Sequence, residues 1–150
     1  MAKLLIKTQK TVAVAESCTG GLLANKLTNI SGSSVYFERG VVTYSNQAKM
    51  DILGIPKEVL EKHGAVSPET AEAMAEGVRK ISGTDFGIST TGIAGPTGGT
   101  KEKPLGLVYI GVSTEKETYS KRLLFFKERL ENKGRFVQAA LSLLKRELSK

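Results

Sequence analysis

Residues 16–21 read Glu-Ser-Cys-Thr-Gly-Gly, and they fall where an apolar run gives way to a helical pattern. Upstream, Thr11–Ala15 (TVAVA) is short and rich in small and β-branched residues, suited to a strand buried on both faces. Downstream, Leu23, Leu27 and Ile30 recur at i, i+4 and i+7, and Ser31-Gly32 stops the pattern. If Thr19 caps that helix, its opening turn holds Gly20 and Gly21, and the free N–H groups and helix dipole favour an anion. Ser17, one step before, is then placed to attack a carbonyl whose developing oxyanion meets those donors. The same residues also suit an ordinary Ser/Thr cap with glycines that permit close packing. The stretch alone does not choose between them.

A serine nucleophile needs a base. The chain has one histidine, His63, beside Gly64 at an expected helix end, where capping is the simpler role. Lys49 has a better setting. In Asn46–Leu53 (NQAKMDIL), with Asn46 as cap, Lys49 sits in the first helical turn, where the dipole disfavours an ammonium ion. Partial burial against Tyr44 acts in the same direction. An exposed helical lysine is the plain alternative. Cys18 is a rival nucleophile, because a helix N-terminus activates a thiolate; a single cysteine equally serves as small buried packing. A third segment, 92–106, carries five glycines together with Pro96 and Pro104, which suits a shaped loop whose backbone can approach an anion. It lacks the Walker pattern GxxxxGK[ST], so a nucleoside triphosphate is not indicated. One His and one Cys offer no ligand cluster, and no metal or cofactor is expected.

These segments must be carried by strands and helices in alternation. Strands are expected over 34–45, 84–92, 105–114 and 117–126, the last two joined by a tight turn near Glu115-Lys116. Short helices follow Asn46 and Pro56. A longer one opens on Ser67-Pro68, with Ala71, Met74, Ala75, Val78 and Ile81 on one face. Val137, Ala140, Leu141, Leu144 and Leu148 mark a C-terminal helix. The pattern predicts a single layered α/β domain spanning 1–150, with a mixed, largely parallel sheet flanked by helices. Ligands of open α/β sheets gather at the carboxyl ends of strands, and all three unusual segments follow a strand.

With 150 residues, 40% hydrophobic and 25% charged, the chain is large enough for a real core. It holds no apolar run of about 20 residues, so no membrane partner is expected. The first ten residues lack a signal-peptide pattern, and a lone cysteine agrees with a cytoplasmic protein. Residues 115–150 hold ten Lys/Arg against five Glu, which accounts for +5 of the formal +7. This excess could meet phosphate. No zinc-finger spacing or aromatic-basic signature accompanies it, so nucleic acid is not the expected partner.

Taken together, AESCTGG, VTYSNQAK, GAVSPETAEAMAEG and GIAGPTGGTKEKPLG resemble the CinA C-terminal domain family, of nicotinamide-nucleotide amidohydrolases also called PncC or nicotinamide mononucleotide deamidase. The likeness runs in order from about residue 9 to the end, and looks like the stand-alone form. It implies hydrolysis of the carboxamide of nicotinamide mononucleotide to nicotinate mononucleotide and ammonia, in pyridine nucleotide salvage. A serine nucleophile maps onto Ser17 and a lysine base onto Lys49, with Tyr44 orienting the lysine. Thr19, Gly20 and Gly21 would supply oxyanion or phosphate donors. Thr91, Gly92, Ala94, Gly95 and Pro96 would line the nucleotide pocket, and Arg129 would meet phosphate. The resemblance also makes a homo-oligomer plausible. Near the C-terminus the family pattern carries GDR and, four residues on, a second Arg. Here Lys127-Glu128 replace the Gly-Asp pair and Lys133 the second Arg. The alternative is a non-catalytic nucleotide-binding or regulatory module that uses the same pocket.

Overall fold

The computed structural model describes residues 1–150 and consists of one five-stranded sheet with helices on both faces. In chain order the elements are α1 (Ala2–Thr8), β1 (Val12–Glu16), α2 (Leu22–Thr28), β2 (Phe37–Val42), α3 (Asn46–Leu53), α4 (Lys57–His63), α5 (Pro68–Ser82), β3 (Phe86–Gly92), β4 (Leu107–Ser113), β5 (Thr118–Leu124) and α6 (Arg129–Leu148). The strand order is β2-β1-β3-β4-β5. β1 pairs parallel with both β2 and β3, whereas β4 is antiparallel to β3 and β5. The sheet is therefore mixed, and four of its five strands point the same way.

The pleat of β1 sorts the core into two layers. Val12 and Val14 face one side, where Leu23 and Leu27 of α2 and Phe136, Val137, Ala140 and Leu144 of α6 close over them. Ala13 and Ala15 face the other, against Leu53, Leu60, Met74 and Val78 of α3, α4 and α5. Alternation of side chains along a strand makes this division automatic. On the second face the sheet residues are small, so α5 lies very close. A Cβ at Gly87 would collide with the Ala75 carbonyl, and one at Gly111 with that of Ala71.

Most element ends follow from local chemistry. Ser67 caps α5 by accepting from the Thr70 N–H at 3.1 Å, with Pro68 first in the helix. Gly54 and Gly83 end α3 and α5 in the left-handed region. Several boundaries differ from expectation. α1 has no counterpart in the expected elements. Residues 33–35 form a 3-10 turn, so β2 starts only at Phe37. α3 is capped by Ser45, whose Oγ accepts from the Ala48 N–H at 3.0 Å, and Asn46 is its first residue. Ile81 lies in the last turn of α5, 43% exposed, rather than in its buried stripe. No helix is long and apolar enough to cross a membrane.

Candidate active site

Parallel pairing of β2, β1 and β3 brings the segments after each strand to one edge of the sheet. A cleft of about 330 Å³ opens there. Its floor is Ser17 and Cys18. Thr91, Gly92, Ile93, Ala94, Gly95 and Thr97 form one wall, Ala65 and Val66 another, and Tyr44 and Arg129 stand at the mouth. Among the residues singled out from sequence, Ser17, Tyr44, Thr91, Gly92, Ala94, Gly95 and Arg129 line this space. Pro96 is exposed and does not line it. Ile93 and Thr97 belong to the loop expected to line it, whereas Ala65 and Val66 were not anticipated. These two are apolar, and their spacing carries no chemical signal.

Lys49 lies behind Ser17, with no solvent exposure. Side chains of a helix lean toward its N-terminus, and Lys49 is the fourth residue of α3, so its stem runs back past the helix start. Its Nζ donates to the carbonyls of Thr43 at 2.8 Å and Tyr44 at 3.2 Å, and lies 3.1 Å from Ser17 Oγ. Burial lowers the Lys49 pKa below its ordinary value. The Tyr44 hydroxyl makes no hydrogen bond to Lys49. The residue is 62% exposed, and its hydroxyl stands 3.5 Å from Arg129 Nη2. What Tyr44 gives the lysine is its backbone carbonyl.

The turn that carries Ser17 is built differently from the sequence reading. Thr19 is not the cap of α2. Gly21, at φ 102°, holds that position, and the helix begins at Leu22. The α2 N–H groups of Leu23 and Ala24 are already taken, at 2.8 and 3.0 Å, by the carboxylate of Glu16. The Thr19 hydroxyl also turns inward, to Glu16 Oε1 at 2.5 Å and Thr90 Oγ1 at 2.7 Å. Neither the helix end nor the Thr19 side chain is thus open to a substrate anion. The Gly20 N–H bonds the Ser17 carbonyl at 3.2 Å. The backbone N–H groups of Cys18, Thr19 and Gly21 make no hydrogen bond to another backbone group, and they remain as donors.

Cys18 is nine-tenths buried, and burial pushes its thiol up to about 12, which removes the thiolate that nucleophilic attack needs. His63 lies outside the cleft, 3.5 Å from Glu69, with its carbonyl bonded by Lys103 Nζ at 2.9 Å. Arg129 Nη1 donates to the Gly95 carbonyl at 2.8 Å, which joins the start of α6 to the cleft wall. Asn132, also unanticipated, makes a second joint. Its Nδ2 donates to Ala94 O at 2.9 Å and Lys127 O at 2.8 Å, while its Oδ1 accepts from the Lys127 N–H at 3.1 Å. Lys133 has no ion-pair or hydrogen-bond partner, and its ammonium lies beside Gly20. No three His, Cys, Asp or Glu side chains are grouped to hold a metal ion.

Residues 1–148 match the family model for the CinA C-terminal domain. The chain belongs to that family. A putative competence-damage inducible protein of Thermoanaerobacter sp. (strain X514) is 57% identical over 148 residues, which cover 99% of this chain and 36% of the relative. A CinA-like protein of Syntrophus aciditrophicus is 55% identical over 150 residues, with 99% and 36% covered. The chain thus spans about a third of the length of the curated relatives it matches. Among solved structures, competence damage-inducible protein A of Klebsiella pneumoniae superposes with a TM-score of 0.95 at 34% identity, covering 99% of this chain and 92% of that one. The competence/damage inducible protein CihA of Agrobacterium tumefaciens gives 0.93 at 41%, covering 99% and 93%.

Proposed function

We propose that this CinA-family domain is an amidohydrolase that converts the carboxamide of nicotinamide mononucleotide into a carboxylate and releases ammonia. The observation that carries the reading is the buried contact of Lys49 Nζ with Ser17 Oγ at 3.1 Å. A neutral amine has two N–H bonds and one lone pair. The Thr43 and Tyr44 carbonyls accept the two N–H bonds, so the lone pair is left for the third neighbour, the Ser17 hydroxyl. Burial favours this neutral form.

Ser17 Oγ attacks the amide carbon as its proton passes to Lys49. The oxyanion is met by the free N–H groups of Cys18 and Thr19. Collapse breaks the C–N bond, and the Lys49 proton leaves with ammonia. Water then attacks the acyl ester, giving its proton to Lys49, which returns one to Ser17 Oγ. The cations of Arg129, at the cleft mouth, and of Lys133, beside Gly20, suit the phosphate of a nucleotide. Ala65, Val66, Ile93 and Ala94 provide an apolar wall for a flat ring. Cytoplasmic residence and self-association belong to the same proposal.

The test is ammonia release from nicotinamide mononucleotide by the wild type, Ser17→Ala and Lys49→Ala, without added metal. Turnover that collapses in both variants is the expected outcome. Calorimetric binding of the nucleotide without turnover overturns the hydrolase reading and favours a binding or regulatory module.

A further inference from the structure

Glu16 is a carboxylate at the end of an apolar strand, 1% exposed, on the face of the sheet opposite Lys49. All its side-chain partners are donors. Oε1 accepts from the Leu23 N–H and the Thr19 hydroxyl, and Oε2 from the Ala24 N–H. The Thr19 proton is committed to this carboxylate, so in the 2.7 Å contact between Thr19 and Thr90 the donor must be Thr90. The result is a directed chain: Thr90 O–H to Thr19 Oγ1, and Thr19 O–H to Glu16. Main-chain bonds lock the same residues to the reacting groups. The Ser17 N–H donates to Thr90 O at 2.9 Å, and the Thr43 N–H to Glu16 O at 2.9 Å, while the Thr43 carbonyl holds Lys49.

We infer that Glu16, Thr19 and Thr90 are positioning residues for the nucleophile turn. Their buried chain pulls the Thr19 side chain inward, which turns the 17–21 backbone so that its unpartnered N–H groups serve the oxyanion. Glu16 also occupies the start of α2, so a substrate anion is left to Arg129 and Lys133 on α6. Stabilisation of the transition state and binding of the anionic end therefore rest on different elements. Damage to the turn acts on kcat and leaves KM nearly unchanged. This inference rests on the hydrolase reading for its substrate but not for its geometry.

The experiment compares wild type, Thr19→Val, Thr19→Ser, Thr90→Val and Glu16→Gln, each first melted so that assays run on folded protein. Thr19→Val keeps the shape and loses the hydroxyl. It is expected to lower kcat about 10²-fold with KM within about threefold, the loss typical of a misplaced reacting group. Thr19→Ser restores kcat to within about threefold, and Thr90→Val and Glu16→Gln fall on the side of Thr19→Val. In parallel, each protein is treated with an aryl fluorophosphonate and read by intact mass. Ser17 Oγ forms the bond to phosphorus, fluoride leaves with the P–F electron pair, and the serine proton passes to Lys49. Ser17→Ala is the blank. Labelling should follow the same order as kcat.

A wild type that is labelled but does not hydrolyse the nucleotide defeats the substrate assignment, and the labelling rates still decide the positioning claim. Folded Thr19→Val with labelling and kcat within about threefold of wild type overturns it. So does a loss shared equally by Thr19→Ser, or a wild type that neither labels nor turns over.

Discussion

Lys49→Met tests the proposed buried base through both activity and stability. Methionine fills the space of the lysine stem without Nζ, so Thr43 O, Tyr44 O and Ser17 Oγ each lose a partner. Loss of a general base lowers turnover by about 10²–10⁴. Stability responds with a sign that depends on pH. Burial holds the Lys49 pKa in the folded chain below its ordinary 10.5, the value that applies to the unfolded chain. Between these two values the unfolded chain carries a proton that the folded chain lacks. Unfolding then takes up a proton, so the stability contributed at this site rises with pH across that window, and the slope approaches about 1.4 kcal/mol per pH unit. Below the folded value both states are protonated and the slope vanishes. Methionine has no such dependence.

The difference in unfolding free energy, wild type minus Lys49→Met, should therefore grow as pH rises. At the alkaline end it includes the cost of the orphaned, buried Thr43 carbonyl, about 1–3 kcal/mol. At the acid end the wild type must hold an ammonium ion away from water, and the gap narrows. Urea melts of both proteins from about pH 6 to about pH 10 measure it, and other titrating groups cancel in the difference. The acid limb of kcat/KM should lie in the same window, because a protonated Lys49 cannot accept from Ser17. A difference that stays flat, or that shrinks as pH rises, refutes the claim that burial keeps this lysine neutral.

Cys18 in the folded protein should resist iodoacetamide at about pH 8 and react once unfolded, because its buried thiol lies far above the ordinary range; peptide mass mapping reads both. Asn132→Ala should lower stability by about 2 kcal/mol in chemical melts and raise KM, since the Ala94 carbonyl loses its donor and the cleft wall its joint to α6. Thr43→Val should leave the melting temperature unchanged or raise it slightly, because Thr43 Oγ1 is buried with no partner and its removal relieves a cost of about 1 kcal/mol. Arg129→Lys should raise KM for a nucleotide more than it lowers kcat, since a lysine cannot reproduce the fork of donors.

The strands and the long helices were legible because burial imposes a period, and the caps at Ser67 and Gly54 because they are local chemistry. α1 was not legible. Leu4, Leu5 and Ile6 are consecutive rather than periodic, only Leu5 is fully buried, and no side chain caps the helix. The cap of α3 shifted from Asn46 to Ser45 because adjacent residues of similar preference differ only in which hydrogen bond the backbone permits. The proximity of Ser17, Lys49 and the loop after β3 followed from the rule for strand carboxyl ends, but the 3.1 Å contact needed the helix start to be fixed to one residue. Glu16 left a usable signal. Two residues after Val14 and four after Val12, a carboxylate continues a buried face and must find donors there. Asn132, four residues before the core residue Phe136, left a similar one.

The strand period also explains how one short turn can be rigid and still present the proposed nucleophile. Along β1 the side chains alternate, so Glu16 and Ser17 point to opposite faces. On the face of Ser17, small sheet residues let α5 and α3 close in, and a lysine becomes buried with only two carbonyls and a hydroxyl for company. That environment lowers its pKa, and any mobile water admitted there would raise it again. On the face of Glu16, the carboxylate collects two helix N–H groups and the threonine chain. Such a cluster resists displacement because every one of its atoms would be left unpaired by a shift. A single substitution that slipped the register of β1 by one residue would exchange the two environments. It would bring the carboxylate toward Lys49 as an ion pair, raise the lysine pKa and remove the neutral amine that the proposed mechanism needs. The pleat thus keeps the buried Lys49 and the buried Glu16 carboxylate on opposite faces of the sheet, where they do not neutralise each other.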